Sequence, residues 1–532
     1  VASLRTEALV GREDTLTPTP FVLDTEGRFA LWRNHAHEMR IAGHIQQRRC
    51  RPSEALPAAT EDELDELFGG SGNLAEQRQR DAVAAVLGRR LFVLTGGPGT
   101  GKTTTVLRML LMLQSRSAEP LTIKVAAPTG KAAQRLVQSL REGKNRLRAL
   151  GDKALPARWQ SWLEHIPDGE ALTVHRLLGF QPQRNAFTRN ARNPVSADVL
   201  VIDEASMVDL GMLRALLDAT PAHAGLIVVG DADQLTSVGA GSVLMDLVAA
   251  LEAQQAPELV RLQHSFRAER HLVPINEAVN LGHAAALDAA LIAAKDDARR
   301  VAVTDVSGLR SELRRWSRQL AELPIRPVLQ AIRTSDDEAT QQAVSAANTE
   351  AALSALRALA TQQLLCALRE DSFGAVAANA VIEAELRRRW SVADSGWYAG
   401  RAVMVTRNDY AAGLFNGDVG ICLADETGRM QVWFETTLAD GRASARSFAP
   451  GSLPTHDGAF AVTIHKSQGS EYTRAAVLLP PDPEHRILSR QLLYTGLSRA
   501  KVSVELWATP ESVRAALEQP VKRIGGLASR LR

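Results

Sequence analysis

Residues 91–106 read LFVLTGGPGTGKTTTV: an apolar run, a glycine-rich loop and a helix start, in the order a phosphate cradle requires. Glycine lets the main chain wrap an anion without Cβ clashes, and the N–H groups at the following helix N-terminus point at it. Gly96, Gly97, Pro98, Gly99, Thr100, Gly101, Lys102, Thr103 and Thr104 are therefore the expected nucleotide-binding positions. Lys102 would reach the β- and γ-phosphates, and Thr103 would ligate Mg²⁺. The apolar run predicts a strand over Leu91 to Leu94. Similar runs from Ile123 to Ala127, Val199 to Ile202 and Leu226 to Val229 alternate with amphipathic stretches, so an α/β fold with a parallel sheet wrapped by helices is expected.

Two of those runs end in polar residues suited to the same chemistry. VLVIDE (199–204) places Asp203 at a strand tip, where it suits the Mg²⁺ shell, and Glu204 beside it to orient or deprotonate an attacking water. LIVVGDADQL (226–235) places Gln234 after a third strand, positioned to sense a γ-phosphate. The chain has no guanine-reading N-K-x-D, which favours adenine; Gln79 or Gln77, upstream of the loop, would read it through a two-point amide contact.

The 532 residues exceed what one core usually serves, so two large domains with smaller insertions are expected. With 62 basic and 60 acidic residues, any polyanion must be met by a local groove and not by the field of the whole protein. Cys50, Cys366 and Cys422 are too far apart for a disulfide framework or a CxxC metal pair. No apolar run approaches a membrane span and the first thirty residues carry charges, which points to the cytoplasm. The expected layout is a small helical N-terminal region (1–70), a first α/β domain (71–258) with a small basic insertion (137–171), and a second α/β domain (259–397 and 458–532). The last is interrupted at 398–457 by β-rich runs separated by Asn-Gly and Thr-Gly turns, read as a small inserted barrel.

A motor needs a second domain that brings arginine to a nucleotide held by the first. Arg267 in LQHSFR and Arg499 in YTGLSRAK are the candidates. An exposed ion pair contributes only about 0–1 kcal/mol, whereas an arginine completing a phosphoryl-transfer site changes the rate by on the order of 10³ to 10⁵.

Taken in order, GGPGTGKTTT, AAPTGKAA, TVHRLLG, VIDEASMVD, VVGDADQLTSVGAGSVL, LQHSFR, TIHKSQGSEY and LLYTGLSRAK resemble the motif series of superfamily-1 DNA helicases of 5′-to-3′ polarity. LLCALREDSFG and GRAVMVTRNDYAAGLFNGDVG extend the resemblance to the RecD family. The resemblance implies two RecA-like domains, an SH3-like β-barrel at 398–457 and single-stranded DNA lying across both domains. It assigns ATP-site roles to Lys102, Thr103, Asp203, Glu204, Gln234, Arg267 and Arg499, and DNA contacts to Pro128, Thr129, His175, Asn416, Thr463, His465 and Lys466. It further implies ATP and Mg²⁺ as cofactors, single-stranded and duplex-end DNA as substrate, RecB-like and RecC-like partners in a heterotrimer that repairs double-strand breaks, and a nuclease centre in a partner. The N-terminal region is shorter than that of a full member of the family, where the partner-binding domain sits. A stand-alone RecD-like helicase and a nucleotide-gated scaffold subunit are the competing readings.

Overall fold

The computed structural model describes the chain apart from residues 1–6, 8, 13–18, 51–55, 71–72, 150–154, 170–171, 238, 267–270, 332–336, 393–395, 410, 439–441 and 522–524. Two compact units are present: Val1–Arg267 with Lys522–Arg532, and Ala268–Val521.

In the first unit six parallel strands lie in the order Leu259–Leu262, Leu91–Gly96, Gly225–Gly230, Val199–Ile202, Ile123–Ala127 and Leu172–Thr173. The central strands are unbroken apolar runs because helices cover both faces. Leu91 and Val93 join one core cluster with the helices Trp32–Cys50, Leu210–Ala219 and Val243–Ala253. Phe92 and Leu94 point the other way, into a cluster with Lys102–Ser115 and Gly130–Arg148.

Several boundaries differ from expectation. The strand Leu259–Leu262, assigned above to the second domain, pairs in parallel with the loop strand (Leu262 with Gly96) and buries Val260 and Leu262, so it completes the first sheet. Residues 137–148 do not begin an insertion. They are the second half of the helix Gly130–Arg148, whose buried Leu136, Leu140 and Leu147 continue one apolar stripe past the expected break. Within 1–70 the structure adds a three-stranded sheet (Val10–Arg12, Phe21–Leu23, Phe29–Leu31) to the expected helices. The helix Trp32–Cys50, expected as part of a separate N-terminal region, is built into the first unit: Ile41 and Ile45 are buried in its core. Thr60 and Glu63 form a reciprocal capping box on the helix Glu61–Phe68, which ends at left-handed Gly69. The far end of the sequence also returns to the first unit. Leu527 and Leu531 enter the same core as Ile41, and the Gly526 N–H donates to Glu38 (2.9 Å).

The second unit holds a five-stranded parallel sheet in the order Ala298–Val301, Ala500–Trp507, Tyr472–Leu478, Gln362–Cys366 and Ala461–Thr463. The Ala-rich stretch forms the helix Glu338–Leu359, capped by Asp337. Between Gln362–Cys366 and Ala461–Thr463 the chain forms a five-stranded antiparallel sheet, ordered Ala443–Phe448, Met430–Thr437, Val419–Ala424, Ala402–Val405 and His456–Gly458. It has its own core of Val403, Val405, Leu414, Cys422, Val432 and Phe434. Its turns use Gly417 and Gly428 at positive φ, as the Asn-Gly and Thr-Gly pairs predict.

The parallel sheet of the second unit buries one carboxylate. Glu505, on Ala500–Trp507, accepts hydrogen bonds from Arg474 (2.6 Å), the Trp507 indole (2.8 Å) and Arg315. Burial pushes its carboxyl up, but these donors outweigh burial and hold it below its ordinary value. Its stabilising contribution is therefore full above the unfolded carboxyl's titration range and is lost as pH falls through the lowered folded value. Glu505→Ala is expected to destabilise this unit by about 2–4 kcal/mol, below the figure for a fully buried pair because both arginines keep some exposure. Denaturant unfolding followed by the fluorescence of Trp316 and Trp507, stacked edge-to-face at 5.7 Å, measures the change.

Candidate nucleotide site

The loop after Leu91–Gly96 bends through Gly99 and Gly101 at φ +76° and +81°, conformations that only glycine adopts freely. Gly101 then caps the helix Lys102–Ser115, so main-chain donors of the first helical turn face the loop. Lys102 Nζ donates to the carbonyls of Gly96 (2.6 Å) and Gly97 (3.0 Å), and Thr100 Oγ1 donates to Gly97 (2.9 Å). The lysine ammonium thus sits inside the cradle it is expected to serve. Thr103 and Thr104 follow it in the first turn, both partly exposed.

Of the two upstream glutamines, Gln79 is the one at the loop. It is buried, and its Nε2 donates to the Thr100 carbonyl (2.9 Å), whereas Gln77 is exposed and bonded to Asp81 (3.0 Å). Sequence reasoning passed over two neighbours on the other side. The Phe266 N–H donates to the Gly99 carbonyl (2.8 Å) and Ser265 Oγ to that of Pro98 (3.3 Å), which fixes the partly exposed Phe266 ring near Gly101. Arg267, the next residue, lies outside the described residues.

Parallel pairing brings two further strand ends to the same edge of the sheet. Gly225–Gly230 lies beside the loop strand, with Gly230 opposite Thr95, and Val199–Ile202 lies beside Gly225–Gly230. Asp203 accepts the Glu204 N–H (2.8 Å), and Glu204 adopts φ +51°, a strained turn that costs about 1–3 kcal/mol in a non-glycine residue. Burial, and then the negative charge of Glu204, raise the Asp203 carboxyl above the usual range against the pull of Lys102 and Arg135. After Gly230, Asp231 is almost fully buried and accepts from Gln234 Nε2 (2.8 Å) and from the Asp233 N–H (3.1 Å). Burial raises its carboxyl too, with Lys102 opposing. Asp231 was not singled out from sequence; the signal was its place in the same GDADQ stretch. The Ala232 N–H donates to Thr95 Oγ1 (3.2 Å), which ties this segment to the loop strand. One unit therefore gathers a glycine cradle, an ammonium, two acidic groups at adjacent strand tips, Gln79 and Gln234. That set has the charges and donors to hold a polyphosphate with a divalent cation.

Other predicted residues occupy further strand ends. Pro128 and Thr129 follow Ile123–Ala127, where Thr129 Oγ1 accepts from Ala132 N (3.2 Å) and caps the helix Gly130–Arg148. Pairing of Ala127 with Thr173 sets the helix Val174–Leu177 alongside. On that helix His175 packs against Phe180 (5.3 Å) and Phe187 (5.9 Å), and burial lowers its pKa. In the second unit Thr463 ends Ala461–Thr463 and accepts from the Lys466 N–H (3.3 Å), with His465 between them. Thr463 and Lys466 line a cavity of about 270 Å³ together with Arg369, Asn379 and Asp457. Asn416 stands in an exposed turn of the antiparallel sheet, its N–H donating to Asn408 (2.8 Å). Arg499 is 3% exposed and donates only to neutral oxygens in these contacts, those of Thr495 (3.0 Å), Ser470 (3.4 Å) and Ser498 (3.1 Å).

Residues 79–240 match the AAA domain model and residues 458–506 the UvrD-like helicase C-terminal domain model. The RecBCD enzyme subunit RecD of Mycolicibacterium smegmatis is 36% identical over 494 residues, 91% of this chain and 78% of that protein. The ATP-dependent RecD2 DNA helicase of Deinococcus radiodurans is 28% identical, over 80% of this chain and 48% of that protein. Among solved structures, a Pif1 helicase from Bacteroides in complex with ADP-AlF3 and single-stranded DNA covers 83% of this chain and 94% of its own, at 17% identity and a TM-score of 0.37.

The close fit at Gly101 is testable. A Cβ there would stand 2.4 Å from Gln79 Nε2, and the left-handed backbone adds about 1–2 kcal/mol for any L side chain. Gly101→Ala is expected to weaken binding of a fluorescent ATP analogue by about tenfold or more, equivalent to 1.4 kcal/mol. The double variant Gly101→Ala/Gln79→Ala should recover part of that loss. Wild-type affinity in the single variant would contradict the steric account.

Proposed function

The chain belongs to the RecD family of RecBCD helicase subunits, and we propose from this that it drives 5′-to-3′ movement along single-stranded DNA by hydrolysing ATP. ATP-dependent DNA helicase activity follows from membership of the family, whose match runs through 91% of the chain. The polarity and the roles of individual residues are our reading. The observation that carries it is the convergence of Lys102, Asp203, Glu204, Asp231 and Gln234 at the carboxyl edge of one parallel sheet, around a glycine cradle.

In this reading Gly96 to Thr104 and Lys102 hold the β- and γ-phosphates, and Gln79 with the face of Phe266 bounds the adenine side. Glu204 takes the proton of the attacking water. Thr103 and Asp203 would hold Mg²⁺. Both offer hard oxygens, and two protein ligands suit an ion that keeps its waters and binds substrate phosphates. When bound, Mg²⁺ would offset the negative charge of the phosphate oxygens. Arg267 and Arg499 stabilise the γ-phosphoryl group in transit, and the neutral surroundings of Arg499 support that role by leaving its charge uncompensated. Pro128, Thr129, His175, Thr463, His465, Lys466 and Asn416 contact the DNA strand.

We further read both units as RecA-like and the antiparallel sheet as an SH3-like barrel. The subunit works in the cytoplasm within a heterotrimer with RecB-like and RecC-like chains that processes duplex ends, and cutting belongs to a partner. That the family's members are RecBCD subunits supports the assembly.

Three measurements test this reading. Lys102→Ala should abolish both DNA-stimulated ATP turnover and unwinding, and turnover at the parent rate would refute the site. Arg499→Ala should lower DNA-stimulated kcat by on the order of 10³-fold or more while ATP is still bound. Duplexes with a 5′ tail should be unwound in preference to those with a 3′ tail, assayed with the partner subunits; activity confined to 3′ tails would overturn the polarity.

A further inference from the structure

The contact between Asp231 and Gln234 decides which end of the glutamine amide faces the reacting atoms. A primary amide has a donor end and an acceptor end, which its surroundings must tell apart. Gln234 is 4% exposed and Asp231 is 1% exposed, and their side chains are 2.8 Å apart. Gln234 Nε2 donates to Asp231 Oδ2, and in its carboxylate form Asp231 only accepts, so the contact holds the NH₂ end of Gln234. Asp231 is fixed in turn, its other oxygen taking the Asp233 N–H (3.1 Å) while Ala232 is tied to Thr95 on the loop strand (3.2 Å). What remains of Gln234 is Oε1, buried and without a hydrogen-bond partner among the described residues. A buried acceptor left unpaired costs about 1–3 kcal/mol, so it calls for a donor.

We propose that Asp231 is a positioning residue that locks the Gln234 amide with its oxygen outward, so that Gln234 accepts a hydrogen bond from the attacking water and does not donate to the γ-phosphate. The phosphate oxygens of ATP are acceptors and offer Oε1 nothing; a water O–H does. This revises the γ-phosphate-sensing role expected for Gln234 from sequence, and it rests on the proposed ATP site. Glu204 takes one proton of that water and Gln234 accepts the other O–H, which fixes both the position and the orientation of the nucleophile.

The pair can be tested by exchanging its polarity. In Asp231→Asn the partner can donate as well as accept, so the Gln234 amide is free to turn and present NH₂ to the phosphate. DNA-stimulated kcat should fall by about tenfold to a hundredfold, as for loss of one oriented hydrogen bond, while KM for ATP stays level or falls. Gln234→Glu alone sets two carboxylates against each other and should fall at least as far. The double variant Asp231→Asn/Gln234→Glu keeps the summed charge and restores one donor facing one acceptor, with a free oxygen outward. It should recover at least about tenfold over the weaker single variant.

Thermal unfolding of each variant shows whether the fold is retained. Wild-type kcat in Asp231→Asn would overturn the assignment. So would kcat and KM both worsening in Asp231→Asn with no recovery in the exchange variant, because that pattern marks a merely structural contact. Failure of the underlying reading looks different: ATP turnover by the wild-type chain that Lys102→Ala leaves unchanged, or no turnover at all, would overturn the ATP site and this role with it.

Discussion

Parallel, in-register pairing between Leu91–Gly96, Gly225–Gly230 and Val199–Ile202 is the constraint on which the site depends. Parallel strands all end at the same edge, so the groups that follow them meet without any of them being near in sequence. Gly96 opens the phosphate loop, Asp231 follows the neighbouring strand and Asp203 the next. Each strand is a buried apolar run that hydrophobic burial fixes firmly, at about 1.5–3 kcal/mol for each fully buried large side chain. The polar ends carry costs that this core must offset: a glutamate in a left-handed turn, two carboxylates raised by burial, and an amide oxygen with no hydrogen-bond partner among the described residues. Their concentration at one edge is what a site awaiting a charged ligand requires.

The electrostatics of that edge are arranged around one ammonium. Lys102 lowers the cost of ionising both Asp203 and Asp231, and meanwhile lies on the carbonyls of its own loop. Those carbonyls are neutral, and an ammonium bonds more strongly to charged oxygens than to neutral ones. In the other unit Arg499 is likewise buried among neutral oxygens. Neither cation is locked into a strong ion pair in these contacts, which leaves its charge available to a polyanion.

Much of this was legible in the sequence because it is local. The glycine loop, the helix after it and the strand before it are neighbours in the chain, and the turns at Gly417 and Gly428 announce themselves by residue type. What escaped depends on partners far away in sequence. Leu259–Leu262 reads as a strand, but only pairing with Leu91–Gly96 shows which sheet owns it. The stripe Leu136, Leu140, Leu147 joins two stretches that composition separates. The choice between Gln77 and Gln79 turns on helix phase: two positions apart, one faces solvent and the other the loop. Asp231 looks like any acidic residue in a loop until its burial and its hold on Gln234 are seen.

The path of the chain carries a last consequence, for biosynthesis. Leu527 and Leu531 complete the core around Ile41, Leu247 and Leu251, yet they are made after every residue of the second unit. A ribosome therefore releases the whole second unit before the first core can close. Until then the apolar side chains of Trp32–Cys50 and Val243–Ala253 that pack against the last helix lack that cover, so the unfinished chain carries apolar surface that the finished one buries.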